Sequence, residues 1–242
     1  MEVVSPHRSR GAAVIAAPLD TTLPEAIERL RALLAEDPHD VETLGRLGDA
    51  QLADHDPDGA LVTATRAIEL DPERAQPHRQ ASIACSRRGR HREAVAYAEE
   101  ATRLAPDDER GFVVLARALL RAKRDLERAR HAAIRAIVTA PEAAEPHLVF
   151  GMVSAAEGEH AAAEAAFRRV LQLAPETVAA RNQLARLQLR RVVEAGAGKP
   201  VGGGAVTIDT VNDAPRTGPA RRPLDDVRRA LHTRLRLRSS LA

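Results

Sequence analysis

The chain has no tryptophan, one tyrosine, three phenylalanines and one cysteine in 242 residues. Aromatic residues make up 2% of it against 44% hydrophobic residues, so a core must rest on alanine and leucine, which favour closely approaching helices. A lone cysteine, Cys85, excludes an intramolecular disulfide and fits a reducing compartment, so a cytoplasmic location is expected. No apolar run approaches the roughly 20 residues that cross a bilayer. The N-terminal "HRSRGAAVIAAP" places a basic stretch before a short apolar one. Pro18 closes that segment at the lower limit for a signal peptide, and secretion is not expected.

A catalytic constellation is also missing. "EAGAGKP" approaches a phosphate-binding loop, yet Val193 stands where glycine is needed and Pro200 where serine or threonine is needed. Nine histidines include no H-E-x-x-H pair, and Cys85 has no second cysteine with which to share a metal. "DTVND", with Asp209 and Asp213, lacks the ligand density of a calcium loop. The sequence therefore implies no enzyme, no metal site and no cofactor. Lysine and arginine exceed aspartate and glutamate by only two, but eight arginines face two aspartates within residues 214–242, leaving the preceding part net negative.

Prolines supply the organising signal. The phrases "LLAEDPHD", "IELDPE", "TRLAPDD", "IVTAPEA" and "LQLAPET" place them at 38, 72, 106, 141 and 175, at intervals of 34, 34, 35 and 34 residues. Each follows an apolar helical stretch and stops it. Each interval holds two apolar-periodic segments: 41–54 and 57–70, 75–88 and 91–104, 109–122 and 125–139, 144–157 and 160–173. Asp56 and Asp125 are candidate N-caps, Pro57 sits at a first helical position, and Gly89 and Gly158 mark breaks. The chain is read as a series of helical hairpins.

A 34-residue helix–turn–helix unit with a terminal proline resembles the tetratricopeptide repeat. That family places small residues at repeat positions 8, 20 and 27. The matching residues are Gly48, Ala60, Ala67; Ser82, Ala94, Ala101; Ala116, Ala129, Ala136; and Gly151, Ala163, Val170, eleven of the twelve being Gly, Ala or Ser. Position 4 departs from the family's tryptophan, reading Leu44, His78, Phe112 and His147, and position 11 reads Gln51, Cys85, Leu119 and Ser154. His78 and His147 are read as packed or edge histidines, and Cys85 as a small core residue. The third repeat carries one extra residue near Lys123.

The resemblance implies an all-α fold, a right-handed superhelical solenoid of tetratricopeptide-like hairpins. Its expected divisions are a disordered segment 1–22, then a repeat domain 23–195 made of a half-repeat 23–38, repeats 41–74, 75–108, 109–143 and 144–177, and a capping helix 178–195. In the half-repeat Ala26, Leu30 and Leu33 fall where a second helix places positions 20, 24 and 27. A flexible linker 196–222, rich in glycine and proline, leads to a basic amphipathic helix 223–242 whose apolar stripe is Leu224, Val227, Leu231 and Leu235.

The resemblance further implies a concave groove lined by the first helix of each hairpin. Positions 2, 5, 9, 12 and 13 point into it. They run from an acidic start (Glu42, Asp49) through Arg79, Arg87, Arg110, Arg117 and Arg121 to apolar Leu148 and Met152. Arginines gathered this way suit the carboxylates of an acidic partner segment, with Leu148 and Met152 accepting an adjacent apolar side chain. A carboxylate clamp for chaperone tails is absent: Gly45 and Asp49 occupy its first positions, and one repeat on stand Arg79 and Ile83, with Glu145 where a lysine is wanted. The expected function is a non-catalytic protein–protein interaction scaffold that binds another protein or peptide. The alternative is a peripheral membrane- or nucleic-acid-associated factor acting through Arg221, Arg222, Arg228, Arg229, Arg234, Arg236 and Arg238 of the tail. That tail lacks aromatic anchors, and it could equally pack on the chain's own negatively charged repeats. In "CSRRGRHREA", Arg87 is expected to face the groove, and Arg88, Arg90, His91 and Arg92 the solvent at a hairpin turn.

Overall fold

The computed structural model describes residues 22–123 and 125–197, with side chains through Val193. The expectations for the N-terminal segment, for the linker beyond Ala197 and for the basic helix, with its arginines from Arg221 to Arg238, lie outside the described residues. The described residues form ten helices and no strand: α1 (Leu23–Glu36), α2 (Val41–Ala53), α3 (Pro57–Leu70), α4 (Ala75–Arg87), α5 (His91–Leu104), α6 (Glu109–Ala122), α7 (Leu126–Thr139), α8 (Ala144–Ala156), α9 (His160–Leu173) and α10 (Val178–Ala197). Helices α2 to α9 form four consecutive hairpins, α1 packs on α2, and α10 packs on α9.

The helix ends follow from local chemistry. Asp37, Asp71, Ala105, Ala140 and Ala174 each precede one of the periodic prolines, and all five leave the helical region with ψ between 77° and 91°. A proline ring clashes with a helical conformation at the residue before it, so every second helix stops at the same place. Asp56 accepts the Gly59 amide at 2.9 Å and Asp125 the Arg128 amide at 2.9 Å, which satisfies a free donor at the start of α3 and of α7. Asp40 caps α2 through the Glu42 and Thr43 amides. The Thr43 hydroxyl, at 2.5 Å, holds the Asp40 carboxyl below its ordinary pKa against the opposing effect of burial, with the backbone amides and Arg46 adding to the lowering.

Within every hairpin the turn passes through the left-handed region at the same repeat position. The residues are His55 (φ 59°), Gly89 (φ 76°), Lys123 (φ 52°) and Gly158 (φ 83°). Glycine adopts that conformation freely, whereas His55 and Lys123 place a Cβ against the following carbonyl. The turn is therefore a backbone feature of the repeat that two of the four copies adopt with a side chain in place.

Small residues let the paired helices meet. Position 20 (Ala60, Ala94, Ala129, Ala163) and position 27 (Ala67, Ala101, Ala136, Val170) are 0% exposed in all four hairpins. Across from position 20 lies position 8, close enough that the Ser82 hydroxyl donates to the Ala94 carbonyl at 2.7 Å. In the fourth hairpin a Cβ on Gly151 would sit 2.6 Å from the buried Phe167 ring, so glycine on α8 and phenylalanine on α9 share one volume. Cys85 is fully buried, and burial pushes its thiol pKa up, consistent with a packing role.

The two position-4 histidines act alike. His78 Nε2 donates to the Pro72 carbonyl at 3.0 Å and His147 Nε2 to the Pro141 carbonyl at 2.8 Å, tying the start of a first helix to the proline turn before it. A carbonyl only accepts, so Nε2 carries the proton in each. His78 also lies beside Tyr97, with ring centroids 6.2 Å apart. Burial holds the His147 imidazole below its ordinary pKa and Arg169 adds to this, while the Pro141 carbonyl and Glu142 oppose it.

Three outcomes follow. Gly151→Ala should destabilise the chain by about 1–3 kcal/mol through overpacking against Phe167, read as a lower urea midpoint. Lys123→Gly should raise stability by roughly 0.5–1 kcal/mol by relieving the left-handed strain. The neutral His147 favours the fold, and the unfolded chain takes up the proton first as pH falls through about 6.5. Its contribution is thus complete above that value and lost on acidification toward the lower folded-state pKa. His147→Gln should flatten the fall in melting temperature between pH 7 and pH 5 relative to the parent chain.

Candidate interaction groove

Helices α2, α4, α6 and α8 touch one another in series, whereas the second helices of successive hairpins make no comparable contact. The stack therefore curves with the first helices on its inner side. The candidate contacts read from the sequence lie on α4, α6 and α8, and they differ in what they meet.

Arg79 is already engaged. Its Nη1 donates to Asp108 Oδ2 at the entry to α6, with the arginine side chain 14% exposed and the aspartate 25%. Asp108 is the N-cap of α6, accepting the Arg110 amide at 3.1 Å, so Arg79 fastens α4 to the start of α6. Arg117 reaches Glu145 at the start of α8 at 2.7 Å, in a more solvated pair. Arg110 is exposed, 3.8 Å from its neighbour Glu109. Arg87 donates Nη1 to the Leu52 carbonyl at the end of α2 and has no ion pair among the described residues. Exposed Arg121, one repeat further, has no hydrogen bond or ion pair among the described residues. Leu148 and Met152 are half-buried against Ala163, Phe167, Val170 and Ala180, so they belong largely to the core of the last hairpin.

The acidic start of the groove is similarly committed. Gln80, 2% exposed, donates to the Gly45 carbonyl at 2.6 Å and to Asp49 at 2.7 Å, and Gln76 donates to the other Asp49 oxygen at 2.9 Å. A Cβ on Gly45 or Gly48 would collide with these glutamines, at 2.9 and 2.7 Å, so glycines on α2 admit the amides of α4. Glu42 is shared by Arg46 and Arg74 at 3.2 and 3.3 Å. Sequence reasoning missed Gln80, whose signal was two glycines facing a glutamine one repeat away.

The same habit extends over the outer helices. Arg88 pairs with Asp58, Arg128 with Glu99, Arg130 with Glu157 at 2.7 Å and Arg169 with Glu142 at 2.8 Å, each reaching an adjacent repeat or hairpin. Arg130 also lies over the Phe150 ring at 5.9 Å. In "CSRRGRHREA" the arginines are thus divided. Arg87 lies on the groove, Arg88 pairs with Asp58, Arg90 pairs with Glu93 at 2.7 Å, and Arg92 is exposed at the turn. The open hollow of about 470 Å³ at this turn is lined by Gly89, Arg90, His91, Arg92, Glu93 and Ala122, away from the groove.

The Arg79–Asp108 pair should show a coupling of about 1 kcal/mol in a double-mutant cycle of urea stability, because both partners are largely withdrawn from solvent. Arg121→Ala should change stability by less than about 0.5 kcal/mol in the same measurement.

A tetratricopeptide repeat model matches residues 22–82, and a second model of that repeat matches 86–147 and 115–178. No curated protein matches the chain. A thermophilic TPR protein of Thermus thermophilus is similar in structure, with 18% identity, 69% of this chain and 91% of that one covered, and a TM-score of 0.62. MamA of Desulfovibrio magneticus RS-1 is similar at 21% identity, covering 64% and 88%, with a TM-score of 0.53. YrrB, described as a TPR protein with an unusual peptide-binding site, is similar at 20% identity, covering 69% and 85%, with a TM-score of 0.51. Since the family's models span most of the described hairpins, the chain belongs to the tetratricopeptide repeat family.

Proposed function

We propose that this protein is a non-catalytic scaffold that holds a segment of a partner protein along the inner face formed by α2, α4, α6 and α8. Proteins of this repeat family generally mediate protein–protein interactions, and one of the similar structures is described as having a peptide-binding site. The observation that carries the finer reading is the division among the groove arginines. Arg79 and Arg117 are neutralised by Asp108 and Glu145, while Arg87 and Arg121, at equivalent positions of adjacent hairpins, meet no carboxylate among the described residues. An acidic side chain or terminal carboxylate of the partner would complete them, each guanidinium offering a paired donor geometry. Half-buried Ile83 and Leu120 lie on the same two helices and would flank the bound segment. The buried, unpaired Cys85 fits work in the reducing cytoplasm.

Arg79 fastens α4 to the start of α6, so reversing its charge would mix folding with binding. Arg87→Glu with Arg121→Glu breaks no described ion pair and gives up only the Arg87 bond to the Leu52 carbonyl. It should lose at least tenfold in partner recovery from the native cell, with unchanged helicity, while Arg92→Glu at the hairpin turn retains the partner. Full recovery by the double variant would defeat the groove reading.

A further inference from the structure

Among the described residues the array ends in two half-hairpins, and they are opposite halves. Helix α1 has the register of a second helix with no described first helix before it, and α10 has the register of a first helix with no described second helix after it. Their exposure shows what is missing. Position 20 is 0% exposed in every complete hairpin, yet its counterpart Ala26 on α1 is only partly covered, as is Leu33 at position 27. Position 8 is buried in every complete hairpin (Gly48, Ser82, Ala116, Gly151), yet its counterpart Ala185 on α10 is exposed. One helical turn on, Leu189 is 65% exposed and Val192 68%, extending an apolar strip from Ala185. In an intact hairpin positions 8 and 20 face each other across the closest approach, as the Ser82–Ala94 hydrogen bond shows.

The charges are complementary too. Helix α10 carries four arginines against Glu194, whereas α1 carries three glutamates against two arginines and runs into Asp37 and Asp40. Of the arginines on α10, Arg186 is exposed with no partner among the described residues, and Arg191 lies 3.5 Å from Glu164 on α9. A basic segment would be repelled by this helix, and an acidic one drawn to it.

We propose that the chain associates head to tail, α10 of one copy pairing with α1 of the next to complete a fifth hairpin in trans. The contact is between different surfaces, so it does not close on itself at two copies and continues the same solenoid. A two-helix contact falls below the roughly 1,200 Å² of a standard stable interface, so assembly should be weak and concentration-dependent.

Sedimentation of the full chain over a hundredfold range of concentration tests this. The wild-type chain should form a series extending past the dimer, diminished by salt. Ala26→Arg with Leu33→Arg blocks α1, and Ala185→Glu with Leu189→Glu blocks α10, whose substituted residues are exposed in the single chain. Each blocked variant should be monomeric at a melting temperature near the parent's, and an equimolar mixture should yield a one-to-one dimer and nothing larger. Should the α1 variant fail to fold, Arg186→Glu, which inverts one surface charge, should still weaken the wild-type series. A wild-type chain that stays monomeric overturns the proposal, including the case where deleting residues 214–242 releases assembly, because the tail then covers α10. A series that stops at two copies, or blocked variants that fail to dimerise when mixed, overturns it as well.

Discussion

Everything in this fold depends on how closely two helices can approach where alanine faces glycine, serine or alanine. At positions 20 and 27 no side-chain surface remains exposed in any of the four hairpins, and seven of those eight residues are alanine. Such a contact stabilises by dispersion and by the exclusion of water over a short distance, and large side chains would lose it. The scarcity of aromatics is the compositional side of the same constraint. Where a phenylalanine does enter, as Phe167, the facing residue has shrunk to Gly151.

Close packing within a hairpin leaves the joints between hairpins to be fixed otherwise, and arginine does much of this. Arg79 ties α4 to the cap of α6, and Arg88, Arg117, Arg128 and Arg169 each span to a carboxylate in a neighbouring repeat, in more exposed pairs. Exposed pairs of this kind contribute little individually, but they set which arginines remain available. A near-neutral chain with many arginines thereby presents a short list of open cations. Among the described residues of the inner face these are Arg87 and Arg121, with Arg110 weakly paired.

The hairpins were legible because their signals are local and periodic. A proline acts on the residue before it, so five prolines locate five helix ends, and the aspartates at 56 and 125 cap the helices that follow them. The left-handed turn was half legible: Gly89 and Gly158 announce it, but His55 and Lys123 do not. The groove was legible in position but not in chemistry. Whether Arg79 faces a partner or Asp108 is decided by an aspartate 29 residues away, and only the superhelical offset between repeats brings the two together. Leu148 and Met152 were read as open apolar contacts because nothing local reveals that α10 and α9 half-cover them.

The central claim is that partners meet the inner face of the first helices. A photo-crosslinking residue can be placed at exposed Ala53 or Ala156 on that face, or at exposed Val62 or Ala161 on the second helices. One and the same partner should be captured in the native cell from Ala53 and Ala156, and not from Val62 or Ala161. Capture confined to Val62 and Ala161 would contradict that claim.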